Sequence, residues 1–526
     1  MQDEGHSPRH LLVFRWLWPF AFLLVFVQVL VQVVSRLAGR PFDLGAYSSI
    51  QFILNTNASA LASTLGILMA LVLFVVYLSS MRYSFNIIGV FAHNPVNATL
   101  FCLYILSISY NLWLASVLDD GYVPRVGTFL AMIMTVLCFG LLVPYFGYLF
   151  GLLSPTRLLD ILQRDVFRAV EAALRKKDFS AARRLAATKV QVVGDVCRTA
   201  LSLSDADVAR HSIWILYFTL CRYIEVKPQL PKQWFATEDR FFRGRHELIL
   251  QEIEETGTWL ERRILEQMQD AFNSSLTRME LETVNITVSL CARLAGERAL
   301  ELGDDAVQEL LITFFNTFLR QALNSRDARA GYHLLYQYDL YADAAFEQRP
   351  ERSLEIAQRI CYYGRTALGM GVLWMAVAAA HDLRTMIEAA LRRKLTEDIS
   401  RRIMLNLMSL IEAVEQGKSP AGGLIIKAAL AVGAFLLFND KADLARELAL
   451  AVVGHDGTDL ANLAEELRSV VEPRFWEVTD RVVNFDYLEP GPRGRLSSFL
   501  DLVATEASML SDGRGRSPAL GQSGAR

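Results

Sequence analysis

Charge is nearly missing from the first 154 residues, which hold six Arg and Lys and five Asp and Glu; the other 372 residues hold 47 and 51. A soluble domain of that length would need far more charge on its surface, so the first part is excluded as an ordinary globular domain. Cysteine is sparse too. The six, at 102, 138, 197, 221, 291 and 361, never stand at CxxC spacing, which excludes a disulfide framework and the common zinc arrangements and fits free buried thiols in a reducing compartment. No pair of the eight histidines has metalloprotease or zinc-ligand spacing, and His246-Glu247 is followed by no second histidine in register. The chain has no G-x-x-x-x-G-K-[ST] loop and no G-x-S-x-G elbow. We therefore expect no enzyme, no cofactor and no metal. A net charge of −3 likewise offers no concentrated basic face for nucleic acid.

What the first part does hold is long apolar runs. A helix needs about 20 such residues to cross the hydrocarbon, and four segments qualify: 16–34, 60–80, 98–118 and 126–153, the last carrying Pro144. Trp16, Trp18, Tyr77, Tyr110 and Trp113 lie near their ends, where interfacial aromatics collect. The first run has no small-residue cleavage site and reads as a retained anchor. Nine Arg or Lys against four acids follow the fourth run between Arg157 and Lys189, while Asp119 and Asp120 stand in the loop before it. The positive-inside rule then places both termini in the cytoplasm and the protein in the bacterial inner membrane. Arg36 and Arg40, in the first outer loop, run against that orientation. No ionisable side chain lies in the core of any span. The polar ones (Gln28, Gln32, Ser63, Thr64, Ser107, Ser109, Asn111 and Thr135) are expected to bond between helices, or else to line a pore in a homo-oligomer.

The run LASTLGILMALVLFVVYLSSMRYSFNIIGVF, continued by VNATLFCLYILSISYNLWL, resembles a family of predicted bacterial membrane proteins (domain of unknown function 2254), with GDVCRTALSL at 194–203 adding to the likeness. The resemblance covers about a fifth of the chain. It implies the membrane layout and carries over no site.

After Pro155 apolar residues recur at three- and four-residue spacing, as in Leu158, Leu159, Leu162, Val166, Phe167 and Val170, with no strand alternation. The fold class expected is all-α: a four-helix transmembrane domain (1–154), a cytoplasmic irregular helical-repeat or α-solenoid-like domain (155–505) and a disordered tail (506–526). Tetratricopeptide-like hairpins are suggested at 172–185, 321–335, 376–391 and 435–450, with Asp178, Asp327, Asp382 and Asp443 in their turns, although these aspartates keep no fixed period. The apolar runs 366–380 and 423–438 are short for a bilayer and are expected in the core.

Three aromatic and charged clusters remain as candidate contact surfaces, since partner-binding patches favour Trp, Tyr and Arg. The first, 226–245, offers Trp234, Phe235 and Phe242, with Thr237 expected to cap a helix. The second, 336–348, offers Tyr336, Tyr338 and Tyr341. The third is FWEVTDRVVNFDYLEP, 475–490. Each could equally seal joins between helices. Arg175, Lys176, Lys177, Arg183 and Arg184 form a basic run that would face lipid head groups or simply solvent. Two functions follow from this layout. One is a membrane-anchored scaffold or adaptor that recruits cytoplasmic protein partners; the other is an oligomeric channel with a cytoplasmic sensing or gating domain.

Overall fold

The structure is a computed structural model, and it describes residues 47–82, 95–119, 125–152, 154–175, 178–237, 246–417, 420–453, 457–477, 479 and 481–514. The chain divides into two compact units, Met1–Ile161 and Leu162–Arg526. That division falls seven residues beyond the composition change at 154. The expected span 16–34 and Phe242, Lys176 and Lys177 lie outside the described residues.

The first unit contains α1 (Tyr47–Arg82), α2 (Pro95–Val117), α3 (Arg125–Gly140) and α4 (Leu142–Leu152). Among the described residues, three stretches are long and apolar enough to cross a membrane: Ser48–Leu78, Val96–Val117 and Gly127–Gly151. The first begins twelve residues before the expected 60, because Gln51, Asn55, Thr56 and Asn57 dilute the apolar run without ending the helix. α3 and α4 are one span with a break: Pro144 has no N–H to offer the Gly140 carbonyl, and the ladder continues through Leu141 N to Leu137 O (2.9 Å) and Tyr145 N to Leu141 O (3.1 Å). Phe52, Ile67, Leu73, Phe74, Leu106 and Phe150 point outward as exposed apolar side chains, the arrangement a lipid solvent favours. Polar groups turn inward. Tyr104 donates to the Cys138 carbonyl (2.8 Å), Tyr145 to Asn97 Oδ1 (3.0 Å), and Asn111 to the Ser107 carbonyl (2.8 Å). Ser63 and Thr64, like Asn111, bond back to their own helix, to the carbonyls of Ser59 and Ala60.

α5 (Pro155–Leu174) spans the division point. The second unit then runs α6 (Phe179–Ser202), α7 (Ala206–Val226), α8 (Glu247–Thr256), α9 (Trp259–Ser275), α10 (Glu282–Leu302), α11 (Asp305–Asn324), α12 (Ala328–Ala345), α13 (Pro350–Met370), α14 (Leu373–Arg392), α15 (Glu397–Gly417), α16 (Gly422–Phe438), α17 (Ala442–Val452), α18 (Gly457–Ser469), α19 (Pro490–Arg493) and α20 (Leu496–Arg514). No strand occurs among the described residues; Arg474 and Val483 form one isolated antiparallel bridge.

These helices stack as hairpins in two layers. α6, α9, α11, α13, α15 and α17 pack in succession in one layer, and α7, α10, α12, α14 and α16 in the other. From α9 on, the first-layer helices begin at 259, 305, 350, 397 and 442, steps of 46, 45, 47 and 45 residues. That period belongs with long two-helix repeats of about 40–47 residues and not with the 34-residue tetratricopeptide unit. Side chains one repeat apart tie successive hairpins together: Arg349 to Asp305 (3.0 Å), Arg365 to Ser409 (2.9 Å), Thr385 to Asp339 (3.1 Å) and Arg401 to Glu447 (3.1 Å).

Turn chemistry explains where the helices start and stop. Asp178, Asp205, Asp304 and Asp327 each accept a backbone N–H three residues on, at 3.0–3.1 Å, the N-cap role expected of Asp178 and Asp327. Asp382 does not cap anything. It lies in the middle of α14, fully buried. The left-handed residue that ends a helix is Gly at 303 and 371, and Arg326, Lys394 and Asp440 elsewhere.

Of the two long apolar runs, 423–438 is mostly in the core, while 366–380 is buried from Met375 on and carries a half-exposed Trp374 before that. Residues 376–380 are buried within α14, the 366–380 run being split by the Gly371 turn, and most of α16 is buried. α20 continues as helix to Arg514, beyond the expected end at 505.

Candidate functional site: a strap held in an arginine slot

Between α18 and α19 the chain leaves helical geometry and returns across the second layer. Residues 473–484 close on themselves: Phe475 N donates to Val482 O (3.0 Å) and Asn484 N to Pro473 O (2.9 Å). Val482 sits at φ +58°, a conformation costly for a β-branched residue, of order 1–3 kcal/mol, and kept only where the surroundings enforce it. The residue before it is the most tightly held of the strap. Arg481, 5% exposed, inserts between α12 and α14. Its guanidinium pairs with both oxygens of buried Asp382, one at 3.2 Å, and donates to the Tyr332 carbonyl at 3.1 Å. Tyr332, Tyr336 and Phe485 present their rings to it, with the central carbon 4.5, 5.2 and 5.4 Å from the ring centres.

Four residues on, Phe485 lies flat on His381 (3.9 Å between ring centres, 13° between planes) and stacks on Trp374 at 6.0 Å. Arg384 donates to the carbonyls of Phe485 and Tyr487, both at 2.8 Å. Lys427 of α16, buried in that otherwise apolar helix, reaches Asp486 at 2.7 Å. Clefts open to solvent flank the strap, one of ≈ 210 Å³ on the Asp339, Arg384 and Tyr487 side and one of ≈ 280 Å³ on the Trp374, Leu424 and Trp476 side.

The slot sets unusual proton affinities. Burial, with Asp382 adding to it, pushes the Asp339 carboxyl well above the usual carboxylate range. Burial, and then the cations of Arg384 and Arg481, hold His381 well below the usual imidazole value. His381 is thus neutral in the folded protein and gains a proton on unfolding below pH ~6.5, so it removes stability as pH falls through that value. Asp339 works in the opposite sense, contributing stability at low pH that is lost as pH rises through its raised value. A His381→Phe variant keeps a ring for Phe485 and removes only the first effect. Its unfolding free energy relative to wild type, from chemical denaturation, should therefore rise as pH is lowered from 7 to 5, by at most about 1.4 kcal/mol per pH unit. A constant offset across that range would show that His381 titrates alike in both states.

The expected contact residues divide. Trp234 is fully buried, its ring 5.1 Å from Trp259 and its Nε1 donating to Tyr223 Oη at 2.9 Å. Tyr338 and Tyr341 are fully buried against Phe315. These three are corrected from candidate contact residues to seams between helices. Phe235 is half-buried under Gly257. Thr237 donates to Glu254 through both its N–H and its hydroxyl, the residues it is expected to cap (238–245) lie outside the described residues, and His246 caps α8. Of the five that are described, Tyr336 lies at a site, on the slot. In the basic run Arg175 and Arg184 are exposed, but Arg183 is buried and donates to the Gln233 carbonyl; it does not face lipid. Arg481 and Asp382 escape sequence reasoning because 99 positions separate them, and the only signal was the aromatic density of 475–490.

With this geometry in hand, known proteins add the following. Residues 15–199 match the family described as predicted membrane protein (DUF2254). The match takes in the membrane unit, α5 and most of α6. No curated protein matches the chain. Among solved structures, a "circular tandem repeat protein with novel repeat topology and enhanced subunit contact surfaces" aligns over 88% of this chain and 99% of its own at 14% identity, with a TM-score of 0.24. So low a score carries no argument about this fold.

Proposed function

We propose that the protein is a membrane-anchored helical-repeat scaffold or adaptor that binds cytoplasmic protein partners at the bacterial inner membrane. The observation that carries this reading is the stack of 45–47-residue hairpins behind an apolar membrane unit. Stacked repeats offer long surfaces suited to peptides and protein helices, and the spans fix such a surface at the bilayer. No catalytic step, cofactor, metal or nucleic acid is part of this reading. The channel alternative is weakened by the membrane unit itself: Ser107, Asn111 and Thr135, the best pore-lining candidates, are buried among its helices and not displayed on an outer face.

Recruitment is tested by affinity capture. Full-length protein in mild detergent should enrich a defined set of cytoplasmic proteins over the membrane unit alone. Equal recovery on both baits would defeat the reading, and ion currents from the wild-type protein in planar bilayers would favour the channel. Topology has its own test. Reporter fusions after Arg82, Asp120 and Arg157 should read inside, outside and inside. An outside signal at Arg157 would put the repeat domain in the wrong compartment for this function.

A further inference from the structure

We propose that α12, α14 and α16 form a groove for an extended peptide carrying an arginine and, four residues later, an aromatic residue, and that residues 471–489 occupy it as an internal pseudo-ligand. The inference rests on the recruitment reading and names the partner's chemistry.

The groove has the two kinds of contact that peptide recognition needs. Arg384 grips main-chain carbonyls, at Phe485 and Tyr487, and a main-chain grip accepts any sequence. Selection falls to two side-chain pockets. One is the slot of Asp382, the Tyr332 carbonyl and the Tyr332 and Tyr336 rings, a set that suits a planar, bidentate guanidinium and not a lysine ammonium. The other is the clip of His381 and Trp374 around Phe485. Lys427 adds a cation that prefers an acidic residue next to the aromatic, as Asp486 stands next to Phe485.

Four observations mark the strap as a guest in this groove. Among its described residues, the backbone-to-backbone bonds it makes are with itself and with its flanks, not with α12, α14 or α16. Clefts open to solvent flank it on both sides, so neither edge is covered by another element. It turns apolar surface outward, with Trp476 79% exposed and Val471, Val482 and Val483 also exposed. Val482 carries backbone strain that release would relieve.

The test uses the full chain in detergent, as wild type and as the Arg481→Ala/Phe485→Ala double variant, which leaves every groove residue intact. The probe is a fluorescein-labelled peptide of residues 471–489, and a second peptide with alanine in place of its arginine. The double variant should bind the first peptide at least about 10-fold more tightly than wild type, because an occupied groove lowers apparent affinity by its open fraction. The alanine peptide should lose about 10-fold or more. A helical, cooperatively melting double variant that ignores the peptide, or takes both peptides equally, overturns the proposal. Should that variant not fold, hydrogen exchange on the wild type decides. Amides of 471–489 should exchange at least about 100-fold faster than those of α14 and α16, through their own opening. Exchange in step with α14 would make the strap part of the core and end the proposal. A double variant that binds peptide yet enriches no cytoplasmic protein keeps the groove and removes recruitment. One whose captured proteins an excess of peptide fails to displace does the reverse.

Discussion

Trp234→Ala should destabilise the repeat unit by about 3–5 kcal/mol, the range for removing a fully buried large aromatic. The side chain has no exposed surface, its ring packs on Trp259, and its N–H is the hydrogen-bond donor to Tyr223 Oη. Truncation would leave a void beside three helical segments and remove that donor. Because stacked repeats couple mainly to their neighbours, the loss should appear first as early melting of the α7–α9 region, visible in hydrogen exchange before the far hairpins respond. Trp476→Ala is the control. At 79% exposure that ring should change stability by no more than about 0.5 kcal/mol. Similar melting of the two variants would contradict the assignment of Trp234 to a seam.

Asp382→Ala should cost a comparable amount, about 3–5 kcal/mol, for a different reason. It leaves the Arg481 guanidinium buried without its counter-charge, and broken buried pairs are far costlier than absent ones. The Asp382→Leu/Arg481→Met double variant should accordingly be more stable than Asp382→Ala alone, although it carries two changes. Chemical denaturation of the two variants and wild type measures the difference. A double variant no more stable than Asp382→Ala would mean that the buried, unpaired guanidinium is not the source of the loss.

The parts of this molecule that were legible from sequence are those in which neighbours along the chain decide the structure. Apolar runs at 60–80, 98–118 and 126–153 announce spans because the hydrocarbon imposes a length, and three of the described helices follow them. Asp178 and Asp327 announce caps because capping is a three-residue interaction. Period and site are another matter. The hairpins step by 45–47 residues, but their turns use Asp, Gly, Lys and Arg interchangeably, so no residue type marks the repeat. Asp382 resembled a turn aspartate because it follows an alanine run; in the fold it is the counter-charge to an arginine 99 residues away. Aromatic density alone did not separate seam from surface either. Trp234, Tyr338 and Tyr341 are sealed, while the third cluster, 475–490, forms the strap.

The most direct test of recruitment through the groove is photocrosslinking in cells from position 424. Leu424 is exposed on α16 and lines the cleft beside the aromatic clip, so a benzophenone amino acid there would face whatever enters while the slot and the clip stay intact. The account predicts a discrete adduct with a cytoplasmic protein, stronger in the Arg481→Ala/Phe485→Ala background than in wild type. The same probe at Trp113, exposed on the membrane helix α2, should give lipid adducts instead. Absence of any protein adduct from position 424 in both backgrounds would contradict the account.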